Sequence, residues 1–122
     1  MHKYLVYGAY GWLTFGGAMH FIIDVVSQKL RGVRAPGPET TLYYGLNSSY
    51  ALGQVLLGAL GLWLFNRSPE LIRETPMLAA SFIAGLAWLT IGLLFIEYRE
   101  PKIVVGVYLA LLVGAAVTGR MS

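Results

Sequence analysis

Gly11-Trp12-Leu13-Thr14-Phe15-Gly16-Gly17-Ala18-Met19-His20-Phe21-Ile22-Ile23-Asp24 sets a histidine and an acid into a run that otherwise has the character of a membrane-spanning helix. His20 and Asp24 are four residues apart, so on an α-helix they share a face, one turn from each other. Ionisable groups are costly inside a bilayer and normally face protein or a water-filled cavity. What surrounds this pair is therefore the question on which both fold and function turn.

The rest of the chain supplies the surroundings. Of its 122 residues 57% are hydrophobic and only 12% charged, with a mean hydropathy of +0.63, too apolar for an ordinary soluble domain. Four segments, about 3–26, 42–65, 77–98 and 103–119, are long enough, or nearly so, to cross roughly 30 Å of hydrocarbon. The expectation is an all-α, single four-helix transmembrane domain over residues 1–122, with both termini on one side. Its location would be a membrane in multi-pass form, the cytoplasmic membrane in a bacterium. Gly16-Gly17-Ala18 after an apolar stretch has the look of a signal cleavage site, but the segment is read as a retained helix. With no cysteine there is no disulfide, thiolate nucleophile or Cys-bound metal. The net charge of +3 follows helix ends and forms no basic face for nucleic acid.

Helix 1 is expected to stop near Val26, before Ser27-Gln28-Lys29-Leu30-Arg31-Gly32-Val33-Arg34 and the helix-forbidding Pro36-Gly37-Pro38. Thr40 or Thr41 can cap helix 2, which stops at Asn66-Arg67-Ser68-Pro69. Helix 3 begins after Pro76 and ends at Glu97-Tyr98-Arg99-Glu100-Pro101. Lys and Arg number five at the loop-rich end and four at the other, too even to orient the protein. Trp12-Leu13-Thr14-Phe15-Gly16 faintly matches Trp88-Leu89-Thr90-Ile91-Gly92, as a duplicated hairpin or the low complexity of membrane sequence would produce. In helix 4, Gly106, Ala110, Gly114 and Thr118 recur every four residues, a small-residue ladder that suits a homo-oligomer.

In helix 2, Tyr43, Asn47, Tyr50 and Gln54 fall on one narrow stripe, reaching from the loop-rich end to about mid-bilayer. His20, Asp24, Asn47 and Glu97 all lie near that same end, whereas Tyr4, Tyr7, Tyr10 and Trp63 mark the other as an aromatic belt. If the faces converge, with Thr90, Leu93 and Glu97 contributed by helix 3, they enclose a small cavity open towards residues 27–41. His20, Asp24 and Glu97 are its catalytic candidates, since an imidazole held by a carboxylate can move protons. Tyr43, Asn47, Tyr50 and Gln54 are its ligand-binding candidates. The blander reading makes the stripe interhelical hydrogen bonding, Glu97 a helix-end acid paired with Arg99 or Lys102, and Arg31 and Arg34 headgroup contacts.

No metal site is called for, because His20, Asp24 and Glu97 have admissible ligand types but no ligand spacing. His2 and His20 stand about 27 Å apart along one helix and cannot share a haem, which leaves a haem on His20 alone without support from any motif. In length and helix count the chain is similar to the small multidrug resistance transporters and to small membrane isomerases that bind haem. At the depth of the transporters' first-helix glutamate it has Thr14 and Phe15, neither likeness extends to motifs, and no family is assigned. The favoured expectation is a membrane protein that takes a lipophilic small molecule from the bilayer and acts on it by acid–base chemistry, as an isomerase or hydratase. Proton-coupled export of hydrophobic compounds and a non-catalytic subunit of a membrane complex are the alternatives.

Overall fold

The computed structural model describes residues 1–121, and side-chain surroundings as far as residue 119. These residues are almost wholly helical, with no strand among them. Helix α1 (His2–Phe21) continues through a π-helical turn, Ile22–Ser27, into α2 (Gln28–Arg31). After a six-residue loop come α3 (Pro38–Arg67), the short α4 (Pro69–Arg73), α5 (Thr75–Phe95) and α6 (Glu100–Met121). Three helices are long and apolar enough to cross a membrane: α3, α5 and Glu100–Gly119 of α6, with mean hydropathies of 1.4, 2.1 and 2.0. Helix α1 is not among them, because its glycines, tyrosines and His20 dilute the apolar residues.

The helix ends follow backbone chemistry more than charge. The first helical run does not stop at Val26 but reaches Arg31, since Gln28, Lys29, Leu30 and Arg31 are all good helix formers. It ends where Gly32 takes the left-handed conformation (φ 61°). There Gly32 N–H donates to Lys29 O at 3.3 Å and Val33 N–H to Gln28 O at 3.1 Å, satisfying the last carbonyls. Thr40 and Thr41 are not the cap of α3. That helix starts at Pro38, whose missing N–H costs nothing in a first turn, and the two hydroxyls donate back to Ala35 O and Gly37 O. Helix α5 stops at Phe95, three residues short of the expected end. The chain then runs extended at Ile96 (φ −107°, ψ 120°), which drives that side chain into the core beside Tyr50 and Val105.

The least apolar long helix sits in the middle. Helix α1 packs against α3 on one side and α6 on the other, and α5 rests on α6. Its buried residues Val6, Ala9, Tyr10, Leu13, Gly16, Gly17 and His20 recur every three or four positions, the stripe of a helix with one inward face. Close approach depends on glycine: a Cβ on Gly58 of α3 would strike Thr14 Oγ1 and lie 2.7 Å from both Thr14 N and Tyr10 O, so the α1 backbone itself fills that space. His2 Nδ1 donates to Ala115 O at 2.8 Å, which puts the start of α1 beside the end of α6.

Two expectations about faces change. Tyr4 and Trp63 are exposed, but Tyr10 belongs to no belt. It is fully buried and shares a proton with Ser81 Oγ at 2.7 Å, while Tyr108 donates to Ser81 O at 3.2 Å. In α6 the inward residues are Val105, Tyr108, Leu112 and Ala115. Of the small-residue ladder Gly114 meets Leu5 and Thr118 Oγ1 meets His2 Nδ1 at 3.2 Å across the bundle, whereas Ala110 is exposed and a Cβ on Gly106 would touch nothing. The repeated Trp-Leu-Thr motifs share a local detail, each threonine donating to the carbonyl four residues back, yet Thr14 packs against Gly58 and Thr90 faces outward.

Candidate ligand cavity

Where α1 gives way to its π turn, the helices part around a cavity of about 420 Å³. Its walls are mainly apolar, from Trp12, Phe15, Met19, Ile23 and Val104, and its polar lining includes His20, Asp24, Tyr50 and Gln54. Phe15 and Ile23 are 60% and 51% exposed, so the cavity opens sideways between α1 and α6 as well as towards the loop. Pro101 and Val104 close the α6 side, and no residue of α5 takes part. The cavity therefore lies between the first, second and fourth long helical runs. The third, with Thr90 and Leu93 exposed, turns that face away.

The π turn, a rare widening that gathers at functional sites, carries Asp24. Asp24 Oδ2 lies 2.8 Å from His20 Nδ1, with both side chains largely buried. On the other edge of the ring His20 Nε2 meets Asn47 Oδ1 at 2.8 Å. Asn47 Nδ2 donates to Tyr43 O at 2.9 Å, which fixes the amide with its oxygen towards the imidazole and makes Nε2 the donor. Asp24 Oδ2 thus faces the remaining ring nitrogen, Nδ1, at ion-pair distance. The ring of Tyr50, 5.1 Å away and tilted by 55°, packs against the imidazole. Asn47 stands nine residues into α3, about 14 Å along an axis of about 45 Å, and Gln54 stands near the middle. The polar groups thus run from the mid-helix level to one end.

Of the sequence candidates, His20, Asp24, Tyr50 and Gln54 border the cavity, and Asn47 stands behind His20. Tyr43 lies off it, with the Arg34 guanidinium 3.5 Å above its ring. Glu97 is displaced furthest from expectation. Because α5 ends early, its side chain is 68% exposed and pairs with Arg34 at 2.8 Å, not with Arg99 or Lys102.

Arg34 is correspondingly no simple headgroup contact. It donates to Gln28 Oε1 at 3.2 Å, Tyr98 Oη at 3.3 Å and Glu97, while Gln28 donates to Tyr98 Oη at 3.2 Å. Burial pulls the guanidinium down, but hydrogen bonds to Glu97 and Tyr98 outweigh it and hold Arg34 above the ordinary arginine value. This network pins the Gly32–Gly37 loop across the mouth. Gln28 and Tyr98 were the residues least visible in the sequence, the first looking like part of a basic exit and the second like a helix end. The signal that finds Gln28 is its place one turn beyond Asp24, on the spacing of His20 and Asp24. Among the described residues no group of three or more His, Asp or Glu could hold a metal ion. Comparison with protein families, curated proteins and solved structures finds no match.

Proposed function

We propose that this chain is a single-domain integral membrane protein of four crossings, α1 joining the three more apolar helices, that binds a lipophilic small molecule in the cavity. It exchanges a proton with that molecule through His20 and Asp24, as an isomerase or hydratase does. The observation that carries this reading is an imidazole–carboxylate pair, 2.8 Å apart, bordering a mainly apolar cavity of drug-like size. Both ring nitrogens of His20 are engaged, so Asp24 is the group that faces the ligand and His20 the partner that supplies or stores its proton. Asn47 holds the ring in place. Glu97 and Tyr43, outside the cavity, have no part in the chemistry.

The test is made on protein purified from membranes in mild detergent. Mass spectrometry of its organic extract should reveal a lipophilic small molecule near one per chain, lost in Met19→Trp, which fills the cavity. Asp24→Asn and His20→Ala should retain that molecule but stop its conversion. A chain that carries none, or conversion that survives both substitutions, ends the reading.

A further inference from the structure

A second concavity lies on the other side of the π turn, where α3 and the first helical run part to leave a groove of about 710 Å³. Deeper in the bundle the two helices touch: a Cβ on Gly17 would lie 2.9 Å from Gln54 Cβ and 3.0 Å from Ala51 O, whereas one on Gly45 would meet nothing within 4 Å. Phe21, Val25 and Val26 give the groove apolar walls, Tyr44 and Ser48 bring hydroxyls, and Lys29 stands at its outer end. From Phe21 to Lys29 is about 12 Å along the helix, within the roughly 15 Å of hydrocarbon in one leaflet. Lys29 is exposed and is the one charged residue among those lining the groove. Among the described residues no carboxylate lies within 4 Å of its ammonium. The other two cations of this segment are engaged, Arg31 Nε with Ser27 Oγ at 3.1 Å and Arg34 with Glu97 at 2.8 Å.

From this we infer that the groove holds an anionic phospholipid, with an acyl chain along Phe21 and Val25 and the phosphate at Lys29. A zwitterionic head would bring a second, cationic group, for which the groove has no acid, whereas a phosphatidylglycerol head brings only hydroxyls. One cation near a membrane surface favours anionic lipid about fivefold. The inference rests on the membrane crossing proposed above and not on the ligand cavity, which Ile23 and Asp24 line on the opposite side of the same turn.

The test is native mass spectrometry of the full chain, extracted from membranes in non-ionic detergent, delipidated and titrated with phosphatidylglycerol or phosphatidylcholine of identical acyl chains. The first molecule of phosphatidylglycerol should bind more tightly than the first of phosphatidylcholine, and Lys29→Gln should lower that preference about fivefold. Lys102→Gln, which removes the same charge at the same end of the bundle but outside the groove, should leave the preference unchanged. Gly45→Leu, which fills the groove from an exposed helical position, should weaken the first binding of both lipids about fivefold or more. Equal losses in Lys29→Gln and Lys102→Gln would make the preference one of diffuse surface charge and overturn the proposal. So would unchanged lipid affinity in Gly45→Leu, with or without a fall in the proportion of dimer; such a fall would assign the groove to a second copy of the chain. Recovery of the protein in the soluble fraction without detergent would end the membrane reading itself, and the groove's lipid with it.

Discussion

Replacing Asn47 by leucine tests the central contact of the site. The side chain is 1% exposed, and leucine matches its size, so the change removes polarity with little loss of packing. Two magnitudes compete. Losing an interhelical hydrogen bond between membrane helices costs on average only about 0.6 kcal/mol, with a ceiling near 1.7 kcal/mol. Leaving a buried donor unpaired costs about 1–3 kcal/mol. His20 is 7% exposed and its other nitrogen already faces Asp24, so Nε2–H has no water to turn to and the second effect governs. The loss of Asn47 Nδ2 matters less, because Tyr43 O remains inside α3 with a backbone donor. Asn47→Leu should therefore destabilise the fold by about 2 kcal/mol. In a His20→Phe background the donor is gone, and the same substitution should cost close to nothing, even though His20→Phe itself is costly for leaving Asp24 unpaired. Reversible unfolding in mixed detergent micelles, followed by far-ultraviolet circular dichroism, measures all four corners of the cycle. A cost below about 0.5 kcal/mol for the single variant, or the same cost with and without the imidazole, would refute the assigned contact.

Other substitutions separate close packing, surface charge and the second polar node. Gly58→Ala should cost about 1–3 kcal/mol in the same unfolding assay, because its methyl group meets Thr14 and the α1 backbone. Gly45→Ala, in the same helix with nothing within 4 Å, should instead stabilise by about 0.5–1 kcal/mol; equal effects at the two sites would contradict the packing described. Glu97→Gln should change stability by less than about 0.5 kcal/mol and lose even that in high salt, since its carboxylate is 68% exposed. A larger, salt-independent loss would mean that the ion pair holds the loop. Ser81→Ala should cost about 1–3 kcal/mol by stranding the Tyr10 hydroxyl, and Tyr10→Phe added to it should recover most of the loss. Failure of that recovery would show the two groups to be independent.

The parts of the site that could be read from sequence are those fixed by helical period within one element. The four-residue spacing of His20 and Asp24, and the three- and four-residue spacings of Asn47, Tyr50 and Gln54 along α3, need only 3.6 residues per turn to place them on common faces. The parts that could not be read depend on how one element is rotated against another. Helix α5 is apolar on all sides, and only 17% of its most apolar window is buried, so its pattern does not say that Trp88 turns inward and Thr90 outward. Glu97 illustrates a different gap. Nothing in Phe95-Ile96-Glu97-Tyr98 breaks a helix, and the extended turn at Ile96 arises from burying that side chain against Tyr50 and Val105. Nor does any residue of Ile22–Ser27 announce a π turn, since its register is set by the neighbours on either side.

If α1 crosses the membrane with the other three, as proposed above, its central position bears on biogenesis. The run translated before the other three is the one lipid suits least, with an aspartate and a histidine that a lone helix would have to hold amid acyl chains. Its partners, above all Asn47 in α3 and the inward face of α6, are translated later. Helix α1 is thus made before its partners and secured after them, and truncations that remove α6 should leave it prone to slip back out of the bilayer during synthesis.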